Sequence, residues 1–502
     1  MKSDSDRNQS LTEQTSSVLE RRTLLRGALT AGGLLLEGTA SRALAQEQEK
    51  AEPQSTSLAL ALARVLNRPK FADLPPVPVK YAKMILASTL ASAASGAQIG
   101  SDRIVRDLEK EQGGRPDATV WFDGAKLPIS SAARVNAMAS AASASDDSDL
   151  RNIAHTGTTL AAVGLAIGER TGATGTDILS AMVLGYESAG RIGDALAGSR
   201  QGFHASVIVA FGGVVLAARL LRLTDEQMAN AIGITATTMG GLGIGTNSWA
   251  REYHDGNVAL CVVNAALAAA RGYTVNPDML EARGGFLAVF GDGKFDRQRL
   301  TRDAGPDWDI VKYMAVKLVP GAHAYQASAE AAVNAARQAG VSPDEVAQIL
   351  VAGPQSRFIV GRQRLPQDMV EAIHSLPYFV ASAVADKDFS WVHTNPDKFH
   401  RPIIVRLIGL VAPDPAPPAI QYEWNWGSTV TVVTKSGARF TSTVKAPKGS
   451  GPRGIEWSDI DAKYRALVPD SGLPAKRIDE IQATIHDFDQ VKHAAEFTRL
   501  LH

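Results

Sequence analysis

The chain has 502 residues, 52 basic against 52 acidic side chains, and a single cysteine, Cys261. Zero net charge with no Lys/Arg block past the amino terminus argues against nucleic acid or an anionic membrane surface as partner. The length exceeds what one core normally supports, so two domains are expected. One thiol can form neither an intrachain disulfide nor a Cys-ligated iron–sulfur cluster, and its apolar surroundings, Val258–Ala270, predict a buried, inert Cys261.

Polar Met1–Glu20 leads into Arg21-Arg22-Thr23-Leu24-Leu25-Arg26, then an apolar stretch from Gly27 to Leu36, then Ala43-Leu44-Ala45. Twin arginines, a short apolar region and a small-x-small site in that order predict a twin-arginine signal peptide over residues 1–45. Cleavage is expected after Ala45, with the twin-arginine export machinery as partner and a periplasmic mature protein. The apolar stretch is too short for a membrane anchor, which needs about 20 apolar residues.

Residues 46–57 read as a polar linker, and residues 58–312 as a helical domain. Pro75-Pro76-Val77-Pro78 precedes a helix expected from about Val79. Ser130–Ser145, Thr158–Thr171 and Asp177–Leu196 repeat small or apolar residues at helical spacing, and Thr224-Asp225-Glu226-Gln227 is a capping box. Beyond Asp309 the composition turns β-prone at Gln348–Ala352, Ile403–Val411, Thr429–Thr434 and Arg439–Val444, the last two flanking a Lys435-Ser436-Gly437 turn. Helical patterns at Ala327–Ala339 and Gln367–Ala385 lie between them. Residues 313–450 therefore read as an α+β domain, and residues 451–502 as a return to the helical domain. The predicted fold class is mainly α, a large all-helical domain carrying an inserted, smaller α+β domain.

Gly240-Gly-Leu-Gly243-Ile-Gly245 follows a helix rather than a strand and is not followed by Gly-Lys-Ser/Thr, so it predicts a loop and not a nucleotide site. Asp146-Asp147-Ser148-Asp149 lacks calcium-loop spacing, and the histidines lack zinc spacing, so neither metal nor cofactor is expected. The basic residues fall in short runs at turns. His155 and His204 each precede a helix start, where free backbone N–H groups suit a carboxylate. Arg251 and His254 share a helical face, and Lys317 lies before Pro320-Gly321 where the two domains join, with His323 in the same run. Together they predict an anion site.

These runs resemble the MmgE/PrpD family, which includes 2-methylcitrate dehydratase and cis-aconitate decarboxylase, over almost the whole mature region. Asp146-Asp147-Ser with His155 is similar to its Asp-Asp-Thr…His-Pro stretch, and Gly202-Phe-His204 to its Gly-Trp/Phe-His segment. Arg251-Glu-Tyr-His254-Asp-Gly256 resembles Lys-x-x-His-x-Gly, Lys317-x-x-Pro320 resembles Lys-x-Tyr-Pro, and His374-Ser-Leu-Pro-Tyr378 resembles His-Ser-Leu-Pro-Tyr. The chain departs with Arg251 for Lys, Thr156 for Pro, Val319 for an aromatic, and Ala144 where dehydratase-like members carry a further carboxylate. The resemblance implies a homodimer whose α+β domain is a lid over the helical domain, with a metal-free active site for di- and tricarboxylates between them.

The expected activity is that of a dehydratase-type lyase, eliminating water after α-proton abstraction. Arg251 and Lys317 would hold carboxylates and stabilise the developing charge. His155 and His204 would form the general acid–base pair, with Asp147 orienting an imidazole and His254, His323 and Tyr378 as further substrate contacts. Isomerisation or epimerisation, decarboxylation, and a non-catalytic periplasmic carboxylate-binding role are the alternatives.

Overall fold

The computed structural model describes residues 56–502, apart from 197–200, 292–294, 306, 362–363 and 423–425. The predicted signal peptide and its cleavage site lie outside the described residues. The longer helices of the first part are α1 (Leu58–Asn67), α2 (Pro76–Gly96), α3 (Gly100–Gln112), α4 (Ile129–Ala142), α5 (Thr156–Thr171), α6 (Gly175–Ala195), α7 (Ser206–Leu220), α8 (Asp225–Thr238) and α9 (Ala250–Ala270). The run of prolines opens α2 rather than preceding it, because the amides of a first turn have no intrahelical acceptor to lose. Thr224 caps α8 through the Gln227 N–H, and Thr174 caps α6 through Asp177 in the same way.

The small residues of these helices allow close crossings. A Cβ at Gly96 of α2 would lie 1.8 Å from the Ala139 carbonyl oxygen of α4, and one at Gly185 of α6 would lie 2.8 Å from that of Gly212 in α7. Every residue of α7 except Arg219 is buried, so this helix forms the centre of the bundle. Cys261, on α9, is half-buried rather than buried; burial still pushes its thiol up.

Short strands β1 (Ala118–Thr119) and β2 (Lys126–Leu127) pair on the bundle, as do β3 (Asp147–Asp149) and β4 (Met314–Val316). The helical core runs from Leu58 to Val316 and resumes from Ile455 to Leu501. A second core, from Tyr325 to Val444, belongs to the inserted part. Its sheet has the order β6 (Val411–Pro413), β5 (Val346–Ala352), β7 (Ser428–Thr434), β8 (Arg439–Val444), with β5 and β6 parallel and the other pairs antiparallel. Helices α10 (His323–Ala339), α11 (Leu376–Asp386) and α12 (Pro402–Ile408) pack with it, Tyr325 meeting Phe379 edge-on at 5.5 Å. The run Ile403–Val411, read as a strand, is mostly α12, since Pro402 sits at its first turn and only Val411 onward pairs. The helix expected over Gln367–Ala385 is broken at His374, where Ser375 caps α11. Beyond the inserted part, α13 (Trp457–Leu467) and α14 (Ala475–His486) pack on the helical core, followed by a short helix over Ala494–Thr498. Among the described residues no helix is long and apolar enough to cross a membrane.

Candidate active site

The β3–β4 ladder builds the centre of the site. Its antiparallel register pairs Asp147 with Val316 and Asp149 with Met314. One step beyond the ladder Lys317 therefore faces Asp146, and its backbone N–H donates to the Asp146 carbonyl at 3.3 Å. The Lys317 ammonium donates to Oδ1 of the same residue at 2.7 Å. The other carboxylate oxygen, Oδ2, lies 2.7 Å from His155 Nδ1. That nitrogen is also 2.7 Å from the Asp147 carbonyl. Both partners only accept, so Nδ1 carries a proton and Nε2 is the ring nitrogen left for chemistry.

Asp146 and Lys317 are each only 2% exposed. Burial alone would raise the Asp146 carboxyl, but His155 and Lys317 together hold it well below the usual carboxylate range. Burial draws the Lys317 ammonium down against the attraction of Asp146.

Asp147 holds the His155 imidazole through its backbone carbonyl, and not through its carboxylate as the sequence suggested. Successive side chains of an extended segment point to opposite sides, so Asp146 turns to His155 while Asp147 turns to the start of α5. There its Oδ1 accepts from the Gly157 N–H at 2.9 Å, and a Cβ at Gly157 would lie 2.4 Å from that oxygen. Burial, and then the charge of Asp146, push the Asp147 carboxyl up to about 7. The helix-start amides expected to meet a ligand are thus engaged internally. At α7 the Ser206 N–H donates to His204 Nδ1 at 3.3 Å.

His323 opens α10 with its Nδ1 2.8 Å from Ser148 Oγ, which is itself 3.2 Å from His155 Nδ1. Its buried Nε2 has no partner among the described residues, and burial, then the nearby Lys317 charge, keeps the imidazole neutral. His204 and His254 lie together instead, their ring centroids 5.0 Å apart. Arg251 is buried on the first turn of α9, Nη2 donating to the Ala142 carbonyl at 3.0 Å with Glu252 3.6 Å away. Tyr378 is not a substrate contact. It lies in the inserted domain's core, its hydroxyl donating to the His393 carbonyl at 2.8 Å, because α11 turns that face toward Phe399.

Sequence reasoning missed Asp146, Ser148, His374 and Asp255. The aspartate pair was in view, and only the strand alternation was needed to choose Asp146. Asp255, one turn after Arg251, is buried with neither carboxyl oxygen partnered among the described residues, and burial pushes it well above the usual range. His374 is pushed down to about 3 by burial and then by the positive charge of Arg251. It lines a cavity of about 400 Å³ with Asn247 of the glycine-rich loop and Arg364, Glu371 and Ser375 of the inserted domain. The cavity lies where the two cores meet, next to the basic cluster.

Residues 60–298 match the MmgE/PrpD N-terminal domain and residues 320–487 the MmgE/PrpD C-terminal domain. The chain belongs to the MmgE/PrpD family. Among curated proteins it is similar to cis-aconitate decarboxylase of Homo sapiens, at 22% identity over 424 residues, covering 82% of this chain and 87% of that protein. It is also similar to the Aspergillus terreus cis-aconitate decarboxylase, at 28% identity over 233 residues, 44% of this chain and 47% of that one. This MmgE/PrpD chain thus has relatives that are enzymes, and its family segments meet between residues 298 and 320, immediately before and around Lys317.

Proposed function

We propose that the protein is a lyase acting on a small di- or tricarboxylic acid through carbanion character beside a carboxylate. One observation carries the reading: the buried Asp146 carboxylate contacts His155 and Lys317 at once, each at 2.7 Å. This fixes the imidazole with Nε2 free to move a proton and keeps a buried ammonium charged beside it. Lys317 and Arg251 hold substrate carboxylates and stabilise the aci-carboxylate form. The His204–His254 pair and His323 Nε2 supply further contacts.

Two outcomes follow from one carbanion. With a hydroxy acid, His155 takes the α-proton and the β-hydroxyl leaves as water after protonation, His204 being the candidate acid. With cis-aconitate, the carbon–carboxylate bond breaks, its electron pair stays on carbon, carbon dioxide leaves, and His155, having first taken a proton from water at Nε2, donates it to the carbanion. The names of the relatives favour decarboxylation, so cis-aconitate is the first substrate to test.

The test incubates the purified mature protein with a panel of di- and tricarboxylates in deuterated water, read by NMR. Elimination gives an enoate, decarboxylation a product one carbon shorter, and epimerisation solvent deuterium without either. Binding with no turnover across the panel overturns the lyase. His155→Ala is expected to lower kcat by about 10²–10⁴-fold while the protein still folds; a near-wild-type rate removes His155 from the mechanism. We extend the reading to a periplasmic homodimer with a twin-arginine leader. Amino-terminal sequencing and sedimentation of the secreted protein test both.

A further inference from the structure

The turn that carries Asp146 is held against its backbone preference. After α4 ends at Ala142, Ala144 adopts a φ of 48°, a left-handed conformation that is costly for a residue with a Cβ. Such a conformation persists where the surroundings fix it, and it concentrates at functional sites. Several bonds restrain the turn. The Gly321 N–H donates to the Ala144 carbonyl at 3.1 Å, Ser143 Oγ lies 2.5 Å from Ser145 Oγ, and Ser143 donates to the Ser92 carbonyl at 3.0 Å.

The Ser145 carbonyl is taken by a side chain from the far end of the chain. Lys463, on α13, donates to it and also to Ser88 Oγ of α2, the latter at 2.6 Å. Its ammonium is 5.9 Å from the Trp391 ring centroid, and its side chain lines a cleft of about 640 Å³ with Leu318 and Val319, which follow Lys317. Lys463 is 2% exposed, and no carboxylate lies within ion-pair distance of it among the described residues. Burial accordingly draws it down to about 7, despite the attraction of Asp146. A neutral donor could satisfy one carbonyl and one hydroxyl without burying an ammonium. The lysine is held by these two hydrogen bonds directly behind the residue that bonds both His155 and Lys317.

We propose that Lys463 is a positioning residue of the active site. By holding the Ser145 carbonyl it fixes the strained turn, and so the direction in which Asp146 meets His155 and Lys317. The α13 return segment is therefore part of the catalytic apparatus. The role rests on the reading that Asp146, His155 and Lys317 form the reacting centre.

The test uses the whole mature protein as Lys463→Met, Lys463→Arg and Ser88→Ala. Lys463→Met is expected to lower kcat by about 30-fold or more with KM within about threefold, since misplacing a reacting group by about 1 Å costs on the order of 10²-fold. Lys463→Arg, which keeps charge and donor, restores part of kcat. Ser88→Ala, which removes only the other partner, stays within about threefold of wild type. The crystal structure of Lys463→Met gives a readout that needs no turnover, the Asp146 Oδ2 to His155 Nδ1 distance opening beyond about 3.5 Å. An unchanged contact, or a folded Lys463→Met with kcat within about threefold of wild type, overturns the proposal. Should Lys463→Met not fold, Lys463→Gln, which keeps one donor and no charge, is read by the same two measurements. If the wild-type protein turns over nothing in the panel, the lyase reading fails, and the crystallographic distance still decides the role of Lys463.

Discussion

The Asp146–Lys317 pair allows a quantitative test of how the site is held. At 2.7 Å two unit charges attract by about 6 kcal/mol in an effective dielectric of about 20, and most of this is offset by removing both from water. The intact pair is thus nearly neutral for stability, and the cost appears when one partner is removed. Asp146→Asn leaves the buried Lys317 ammonium uncompensated and should cost about 3–5 kcal/mol. Lys317→Met should cost less, about 1–3 kcal/mol, because Asp146 keeps His155 as a partner and the thioether chain fills the lysine's volume. The double variant removes both charges and should recover about 2–3 kcal/mol relative to the sum of the single losses. Equilibrium urea unfolding followed by tryptophan fluorescence measures all four corners of the cycle. Single losses that add to within about 0.5 kcal/mol would show that the two groups are not energetically coupled, and the hub assigned to Asp146 would fall with them.

Tyr378→Phe should lose about 1 kcal/mol in urea unfolding, from the hydrogen bond to the His393 carbonyl, with kcat/KM unchanged; a selective loss of kcat/KM would return Tyr378 to the site. Asp147 gives a pH dependence whose sign is fixed. Its native carboxyl, raised to about 7, holds its proton more tightly than the unfolded chain does, so its contribution is most favourable below about pH 4 and declines as pH rises to about 7, by up to about 4 kcal/mol. Asp147→Asn should flatten that decline when urea midpoints at about pH 5 and about pH 8 are compared with wild type. Equal slopes in the two proteins would show that Asp147 ionises normally.

Local signals in the sequence were legible where local chemistry decides the structure. The Thr224 box starts α8, and the alternation around Lys435-Ser436-Gly437 gives the β7–β8 hairpin. The run Ile403–Val411 misled because a short apolar stretch fits a buried helix as well as a strand, and Pro402 at the first turn decides for the helix. The strand Asp147–Asp149 carries no strand signal at all, since Asp and Ser are poor strand formers. It exists because Met314–Val316 pairs with it from more than 160 residues away. Once that strand is unseen, the alternation that separates Asp146 from Asp147 cannot be applied, and the wrong carboxylate is chosen. Lys463 and Asp255 were illegible for a related reason, because only the packing of α13 and α9 buries them.

Burial also decides which groups of the site carry charge, and composition cannot supply that. It suppresses ionisation of Asp147 and Asp255 among the carboxyls and keeps the His323 and His374 imidazoles neutral. Asp146 stays ionised because the Lys317 ammonium and the hydrogen bond from His155 outweigh its burial. With ionisation of its acidic neighbours Asp147 and Asp255 suppressed by burial, the region around Lys317 and Arg251 is more electropositive than its count of carboxyl groups implies. A buried orphan oxygen or nitrogen there, as on Asp255 and His323 Nε2, is costly unless a polar group meets it. Both features fit a ligand that brings several carboxylates and can accept hydrogen bonds from neutral acids as well as from cations. On this argument Asp255, one turn after Arg251, meets such a ligand as a donor in its protonated form.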